Sequence, residues 1–480
     1  MDLEYRFPLE LWLKVCSHLP PDALRSLSST HRAFCDITRP LGFTEFEIQF
    51  YPYDFRPLQE ELDDHLERLY FWSSPQIAPH VHRCSVTRSL KNLSGSVQGW
   101  QQPDDDGSAA GPHLLMYTFF KCFLNFTGLE RFYANNVQFS HTGIANLCTL
   151  PALTHVEFFQ CTVAPGEHID PHSLTLRVAT FSTYYDMNDL WVSLVSPETI
   201  RELVCSNLLP MVKPGGPPFP NVHALTLLEG SPMQLSILTR FPGVRLFSID
   251  YERDLDTLTA EEASSLFPVL EEYCGPGKSL HIFVQRTTLT RINIIDTCIF
   301  RDLMTELHGI TALPKITSLT AWLYTSSNTS SAFFFGKPQL DTLFTVFPRL
   351  TKLKLTLWPE DEEDGEFTPE HPGLIKALIS SVLLPTTLEH LSLEWSFDCA
   401  YHANPVPPSS AETLDFADLR DTLLAKCSAL TYISLDGHHF FFLLWSAPSA
   451  WEATAHNHED AKVVRAQKYA HLNAELRKRY

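Results

Sequence analysis

Residues 347–355, Phe-Pro-Arg-Leu-Thr-Lys-Leu-Lys-Leu, decide how the body of this 480-residue chain is read. Pro348 has no N–H and disfavours helix in the residue before it, so a helix running into Phe347 stops there. Leu350, Leu353 and Leu355 then fall at L-x-x-L-x-L, whose last alternation puts two leucines on one face of a short strand. The phrase recurs. Leu150-Pro151 leads into Leu153, Val156 and Phe158, Phe219-Pro220 into Val222, Leu225 and Leu227, and Phe241-Pro242 into Val244, Phe247 and Ile249. Phe267-Pro268 (Leu270, Tyr273), Leu313-Pro314 (Ile316, Leu319) and Leu384-Pro385 (Leu388, Leu391, Leu393) continue it. Copies without proline start at Leu129, Ile200, Leu289 and Leu430.

Each copy predicts a helix, a proline stop and a strand whose apolar side is buried by stacking on the next copy. Starts at 129, 153, 200, 222 and 244 are 24, 47, 22 and 22 residues apart, and the gap of 47 holds a further copy at Leu176. This is the period of about 20–29 residues found in leucine-rich repeats, and the array resembles an irregular leucine-rich-repeat solenoid. Ser231-Pro232 is suited to open a helix through Arg240, and Thr259 with Glu262 forms a capping-box pattern. Two features depart from the family. The Asn or Cys eight residues after the first Leu appears as Cys161 and is mostly missing elsewhere, which puts a continuous polar ladder in doubt. Later starts at 316, 350, 388 and 430 are 34, 38 and 42 apart, leaving room for the acidic run 360–364 and the Pro-rich stretch 404–408. The alternative is a generic α/β domain whose strands follow helices.

Residues 7–37 carry more apolar surface than so short a segment can hide. Pro8 suits the first position of a helix, and Pro20-Pro21 end that helix and start another. Leu9, Trp12, Leu13 and Cys16 lie along one side, while Leu11, Val15 and Leu19 form a second row; Leu24, Leu27, His31 and Phe34 continue the pattern. One row can face the chain's own core, and the other needs different company. The segment resembles an F-box, the module that docks a substrate adaptor onto the Skp subunit of a cullin-RING ubiquitin ligase. Phe7-Pro8 stands for the usual Leu-Pro, followed by Glu10-Leu11, Leu19-Pro20, Leu24, Leu27 and Phe34. Thr30 departs from a position that is commonly aliphatic. The wording of residues 7–43 is especially similar to the large fungal F-box group. The resemblance implies that Phe7, Pro8, Leu11, Val15, Leu19, Pro20, Leu24, Leu27 and His31 contact the Skp subunit. An ordinary N-terminal helical cap is the alternative.

The expected fold class is thus α/β, a small all-helical F-box (1–40) followed by an irregular solenoid (113–450). Between them, residues 41–112 form a transition with strands at 43–50 and 81–86, a helix at 58–72 and a loop at 100–112. Trp451 to Tyr480 reads as a C-terminal helix. Thirty-six basic against 56 acidic residues give a net charge of −20, which repels phosphate backbones and anionic membrane surfaces, so neither nucleic acid nor membrane is an expected partner. The N-terminus lacks a signal-peptide pattern and no apolar run approaches the ~20 residues that span a bilayer, so a cytoplasmic or nuclear protein is expected. Eleven cysteines without regular spacing fit buried thiols better than a disulfide framework.

Candidate chemistry is thin. Gly277-Lys278-Ser279 is similar to the end of a phosphate-binding loop, but Glu272 stands where that pattern needs Gly, so a turn is expected. Cys399, His402, His438 and His439 lack a complete metal-ligand spacing, and His456 and His458 sit beside Glu459 and Asp460 on an expected solvated helix start. No catalytic residue, metal or cofactor is assigned. In a solenoid of this type the residues between the inward leucines face the open concave surface, and of these Arg131, Tyr133, His155, Phe159, Arg291, Trp322, Lys352, Lys354, His390 and Tyr432 are the expected substrate-binding surface. Family resemblance therefore implies a non-enzymatic adaptor holding a protein substrate for ubiquitin transfer. A ligase-independent scaffold is the alternative, with a hydrolase or metal enzyme behind it.

Overall fold

A computed structural model describes residues 9–51, 58–88, 112–163, 170–182, 188–206, 217–228, 235–249, 265–307, 312–325, 337–359, 380, 383–395, 415–436, 442–447, 451–455 and 463. Phe7, Pro8, the runs at 360–364 and 404–408, Ser231-Pro232, Thr259, Glu262, Cys399 and the histidines at 402, 438, 439, 456 and 458 lie outside them. The chain divides into two compact units, Met1–Gly243 and Val244–Tyr480, a boundary inside the stretch expected as one array. The class is α/β with mostly parallel strands.

The first unit opens with three helices, α1 (Leu9–Cys16), α2 (Pro21–Thr30) and α3 (Arg32–Gly42). Pro21 occupies the first turn of α2, where a missing N–H costs nothing. His31 does not continue the apolar row of α2. Its backbone is extended (φ −159°, ψ 145°), and its Nδ1 accepts the Ala33 N–H at 3.1 Å, so it ends α2 and caps α3. Strands β1 (Glu45–Phe50), β2 (Arg83–Arg88), β3 (Arg131–Asn135), β5 (His155–Phe159), β7 (Val178–Ser182), β8 (Glu202–Cys205) and β9 (Ala224–Leu227) pair in parallel in that order. Helices α4 (Gln59–Trp72), α5 (Pro112–Cys122), α6 (His141–Cys148) and α7 (Asn188–Leu194) lie between strands in sequence. Short strands β4 (Gln138–Phe139) and β6 (Thr162–Val163) form a separate parallel pair.

In the second unit β10 (Leu246–Ile249), β11 (Glu272–Gly275), β12 (Arg291–Ile299), β13 (Ser318–Thr325), β14 (Lys352–Pro359), β15 (His390–Trp395) and β16 (Tyr432–Asp436) are again parallel and in chain order. Helices α8 (Leu280–Phe283), α9 (Phe300–Glu306), α10 (Lys337–Val346) and α11 (Phe416–Lys426) intervene in sequence. Two antiparallel strands, β17 (Phe442–Ser446) and β18 (Trp451–Ala455), finish the sheet. Residues 451–455, expected to open a helix, are therefore a strand. The reason is that Trp-Glu-Ala-Thr-Ala alternates apolar and polar residues, which suits a strand, and antiparallel pairing on β17 decides its conformation.

The inward residues of the recurring phrase are buried throughout, among them Leu153, Val156 and Phe158, and Leu350, Leu353 and Leu355. Aromatic rings fill the first unit: Phe158 touches Phe132, Phe139, Phe181 and Trp191 with centroids 5.9, 5.0, 5.7 and 4.6 Å away. In the second unit Leu319, Leu353, Leu391 and Ile433 occupy one register row and are all buried. Each such side chain contributes about 1.5–3 kcal/mol of burial.

A recurring tie joins neighbouring strands at their starts. The two N–H groups at the start of one strand converge on a single carbonyl of the strand before; Thr351 and Lys352 donate to Thr317 O at 2.8 and 3.0 Å. Threonine hydroxyls reinforce it, with Thr290 on Glu271 O (3.2 Å), Thr317 on Thr290 O (3.3 Å), Thr351 on Thr317 O (3.1 Å) and Thr431 on Glu389 O (3.2 Å). The buried Cys161 thiol donates to Ala134 O at 3.3 Å.

Candidate functional site

Two surfaces stand out from the packed interior, the side of α1 and the outward face of the strands. On α1, Cys16 is fully buried, and the Trp12 ring meets Phe34 of α3 edge-on at 5.2 Å. One row of the helix is thus consumed within the first unit. On the other row Leu11 is 46% and Val15 55% exposed, although both are aliphatic. Leu19 and Leu27 are half-buried, and Pro20 and His31 are exposed. Leu24 is buried, on a helix that packs against α3, so it supports this edge and does not display itself for docking. Thr30 is exposed and its hydroxyl donates to Leu27 O at 2.7 Å, satisfying a carbonyl at the end of α2.

The strand residues named from the sequence are exposed or half-buried, each with at least one buried neighbour along its strand. In the first unit register pairing brings Arg131 beside His155 and Asn135 beside Phe159, and the Tyr133 and Phe159 rings lie 5.5 Å apart. Burial lowers the His155 pKa, the Arg131 charge lowers it further, and Thr154 Oγ1 sits 2.7 Å from its Nδ1. The second unit gathers Arg291, Lys352, His390 and Tyr432 into one row across β12 to β16, with Ser318 between the first two. Arg291 Nε is 2.6 Å from Glu272 Oε2, Lys354 Nζ is 3.8 Å from Glu394 Oε2, and the His390 and Tyr432 rings are 5.7 Å apart. Trp322, 39% exposed, sits two positions past this pair of rows, beside Thr356. The outward face is a mixture of aromatic, basic and acidic side chains.

Gly277-Lys278-Ser279 forms a single 3₁₀ turn. The Gly277 N–H donates to Asp296 Oδ1 at 2.8 Å, so the amide that a phosphate loop would present is already bonded. Burial raises the Asp296 pKa, and Tyr273 directs its hydroxyl to Pro276 O at 2.8 Å, closing the turn from beneath. Among the described residues no group of three or more His, Cys, Asp or Glu side chains is placed to hold a metal ion, and no helix is long and apolar enough to cross a membrane. No disulfide joins the cysteines among the described residues, and burial pushes the Cys161 thiol up to about 12.

One row escaped the reading of the sequence. Thr154, Arg177, Arg201 and His223 each stand immediately before a strand, at spacings of 23, 24 and 22 residues, the same period as the leucines. Attention to the positions between the leucines passes over this one. No protein-family model matches the chain, and no curated protein matches it in sequence.

Proposed function

We propose that this chain is a non-catalytic substrate adaptor: α1 to α3 act as an F-box that docks on the Skp subunit of a cullin-RING ubiquitin ligase, and the strand array, an irregular leucine-rich-repeat solenoid, holds the protein to be modified. The observation that carries the reading is the divided surface of α1. Its Trp12 and Cys16 side packs inward while Leu11 and Val15 remain in water. A short helix that keeps two large aliphatic side chains exposed beside a packed row has the form of an anchor for a groove on another protein. The outward strand face, rich in Tyr, Trp, His and Arg, supplies the second binding surface.

Titration of the purified Skp subunit into the full chain tests docking. Saturable binding that is lost in a Pro8→Ala, Leu11→Asp variant is the expected outcome, because a carboxylate in an apolar contact loses its hydration without gaining a partner. Absence of binding, or binding indifferent to those changes, overturns the adaptor reading. Recovery of the Skp subunit without a cullin would instead favour a scaffold that uses the same helices without a ligase.

A further inference from the structure

The row of residues leading into β5, β7, β8 and β9 opens onto a recess of about 570 Å³ in the first unit, lined by Thr154, Thr175, Arg177, Thr199, Arg201 and His223, with Glu198 and Asn221 at its side. The strands beneath hold it rigidly. Arg177 N–H donates to Thr154 O, Arg201 N–H to Arg177 O and His223 N–H to Arg201 O, each at 2.8 Å. Arg177 and Arg201 are 24 residues apart in sequence but lead into adjacent parallel strands, where backbones run about 4.8 Å apart.

Two neighbouring acids pair with histidines and not with the arginines. Glu130 faces His82, whose Nδ1 is 3.3 Å from its Oε1, and Glu202 lies 4.0 Å from His223 Nε2. Glu198 lends its backbone carbonyl to Asn221 Nδ2 at 2.8 Å. Among the described residues neither guanidinium has an ion-pair partner, so two forked donors line one polar hollow, with the Glu198 carboxylate at its side and Glu202 beside His223, on a chain whose net charge is −20.

We infer that this recess is a binding subsite for an oxyanion, phosphoryl or carboxylate, carried by a side chain of a partner protein. Two guanidiniums lining one recess offer forked N–H donors suited to the oxygens of such a group, and hydroxyls around them extend the set. The protein source follows from charge: the chain's overall negative field opposes a polyanionic nucleic acid but admits a single anionic side chain locally. The subsite is independent of the docking of α1, and its test involves no Skp subunit.

The test is fluorescence titration of the full chain with three matched peptides carrying phosphoserine, glutamate or serine at one central position, and with a single-stranded oligonucleotide. Inorganic phosphate serves as competitor. We expect the phosphoserine or the glutamate peptide, or both, to bind more tightly than the serine peptide, and the difference between the two to identify the source of the anion. Arg177→Ala and Arg201→Ala should each weaken that binding about tenfold, while Glu198→Gln should tighten it a few-fold by removing the carboxylate that lines the recess. All three side chains are solvent-accessible, so thermal unfolding should stay at the parent midpoint, separating lost binding from lost folding. Equal affinity for all three peptides, or indifference to the arginine changes at an unchanged midpoint, overturns the subsite. Oligonucleotide binding stronger than either anionic peptide and lost in the arginine variants overturns the protein source.

Discussion

Truncating Leu11 and Val15 to alanine together probes the exposed side of α1 quantitatively. Fully burying such a side chain is worth about 1.5–3 kcal/mol. Leu11 keeps 46% of its surface in water and Val15 55%, so a partner that covers them gains roughly half of that, about 1 kcal/mol from each. The double truncation should therefore cost about 2 kcal/mol of binding, a Kd roughly 30-fold weaker at 1.4 kcal/mol per decade. Folding should suffer less, because alanine is the best helix former and its propensity offsets part of the packing that truncation removes within the unit. Leu11→Asp separates the two effects further: its charge stays hydrated in the free chain but is stripped of water in a docked one. Calorimetric titration of the Skp subunit, paired with thermal unfolding of the same variants, gives both quantities. A Kd within threefold of the parent for the double variant, together with undiminished binding by Leu11→Asp, would refute the reasoning.

Three further outcomes are expected. Phe158→Ala should destabilise the first unit by about 3–5 kcal/mol, read as a lower urea midpoint, since the ring is buried among four aromatic neighbours that cannot collapse into the void. Thr351→Val should cost no more than about 1 kcal/mol, because Thr317 O keeps the backbone N–H groups of Thr351 and Lys352 and is not left unpaired. The His155 pKa lies below its ordinary 6.5 through burial and then Arg131, so the unfolded chain binds the proton at higher pH than the folded one. That contribution to stability is intact above pH 6.5 and is lost as pH falls through the native value. The urea midpoint of the parent should thus drop between about pH 7.5 and about pH 5 more steeply than that of His155→Gln, and equal slopes would contradict this.

Legibility in the sequence followed the range of the forces involved. The side of each strand that turns inward was readable, because alternation is a local property and a misplaced leucine would cost the burial of a whole row. Helices α1 and α2 were likewise readable from Pro8, Pro20 and Pro21, whose effect on the backbone is intrinsic. His31 was not, since an imidazole can continue an apolar row or accept a capping N–H, and only the backbone turn after Thr30 decides. The threonine ties were hidden for a similar reason: Thr317, Thr351 and Thr431 are ordinary singly and acquire a role only when the preceding strand offers its carbonyl. The same holds for Arg177 and Arg201, which share a period with the leucines but become a pair only across two strands.

What the order of amino acids determined alone was the repeating phrase and its inward face, the proline-bounded helices at the start, and the surplus of apolar surface on α1, all consequences of backbone sterics and hydrophobic period. The tertiary structure decided which outward side chains become neighbours, because lateral contact across a parallel sheet depends on register between residues more than twenty positions apart. It also decided that 451–455 is a strand, since a segment of five residues carries too little pattern to fix its own conformation and takes it from the edge of β17 on which it pairs.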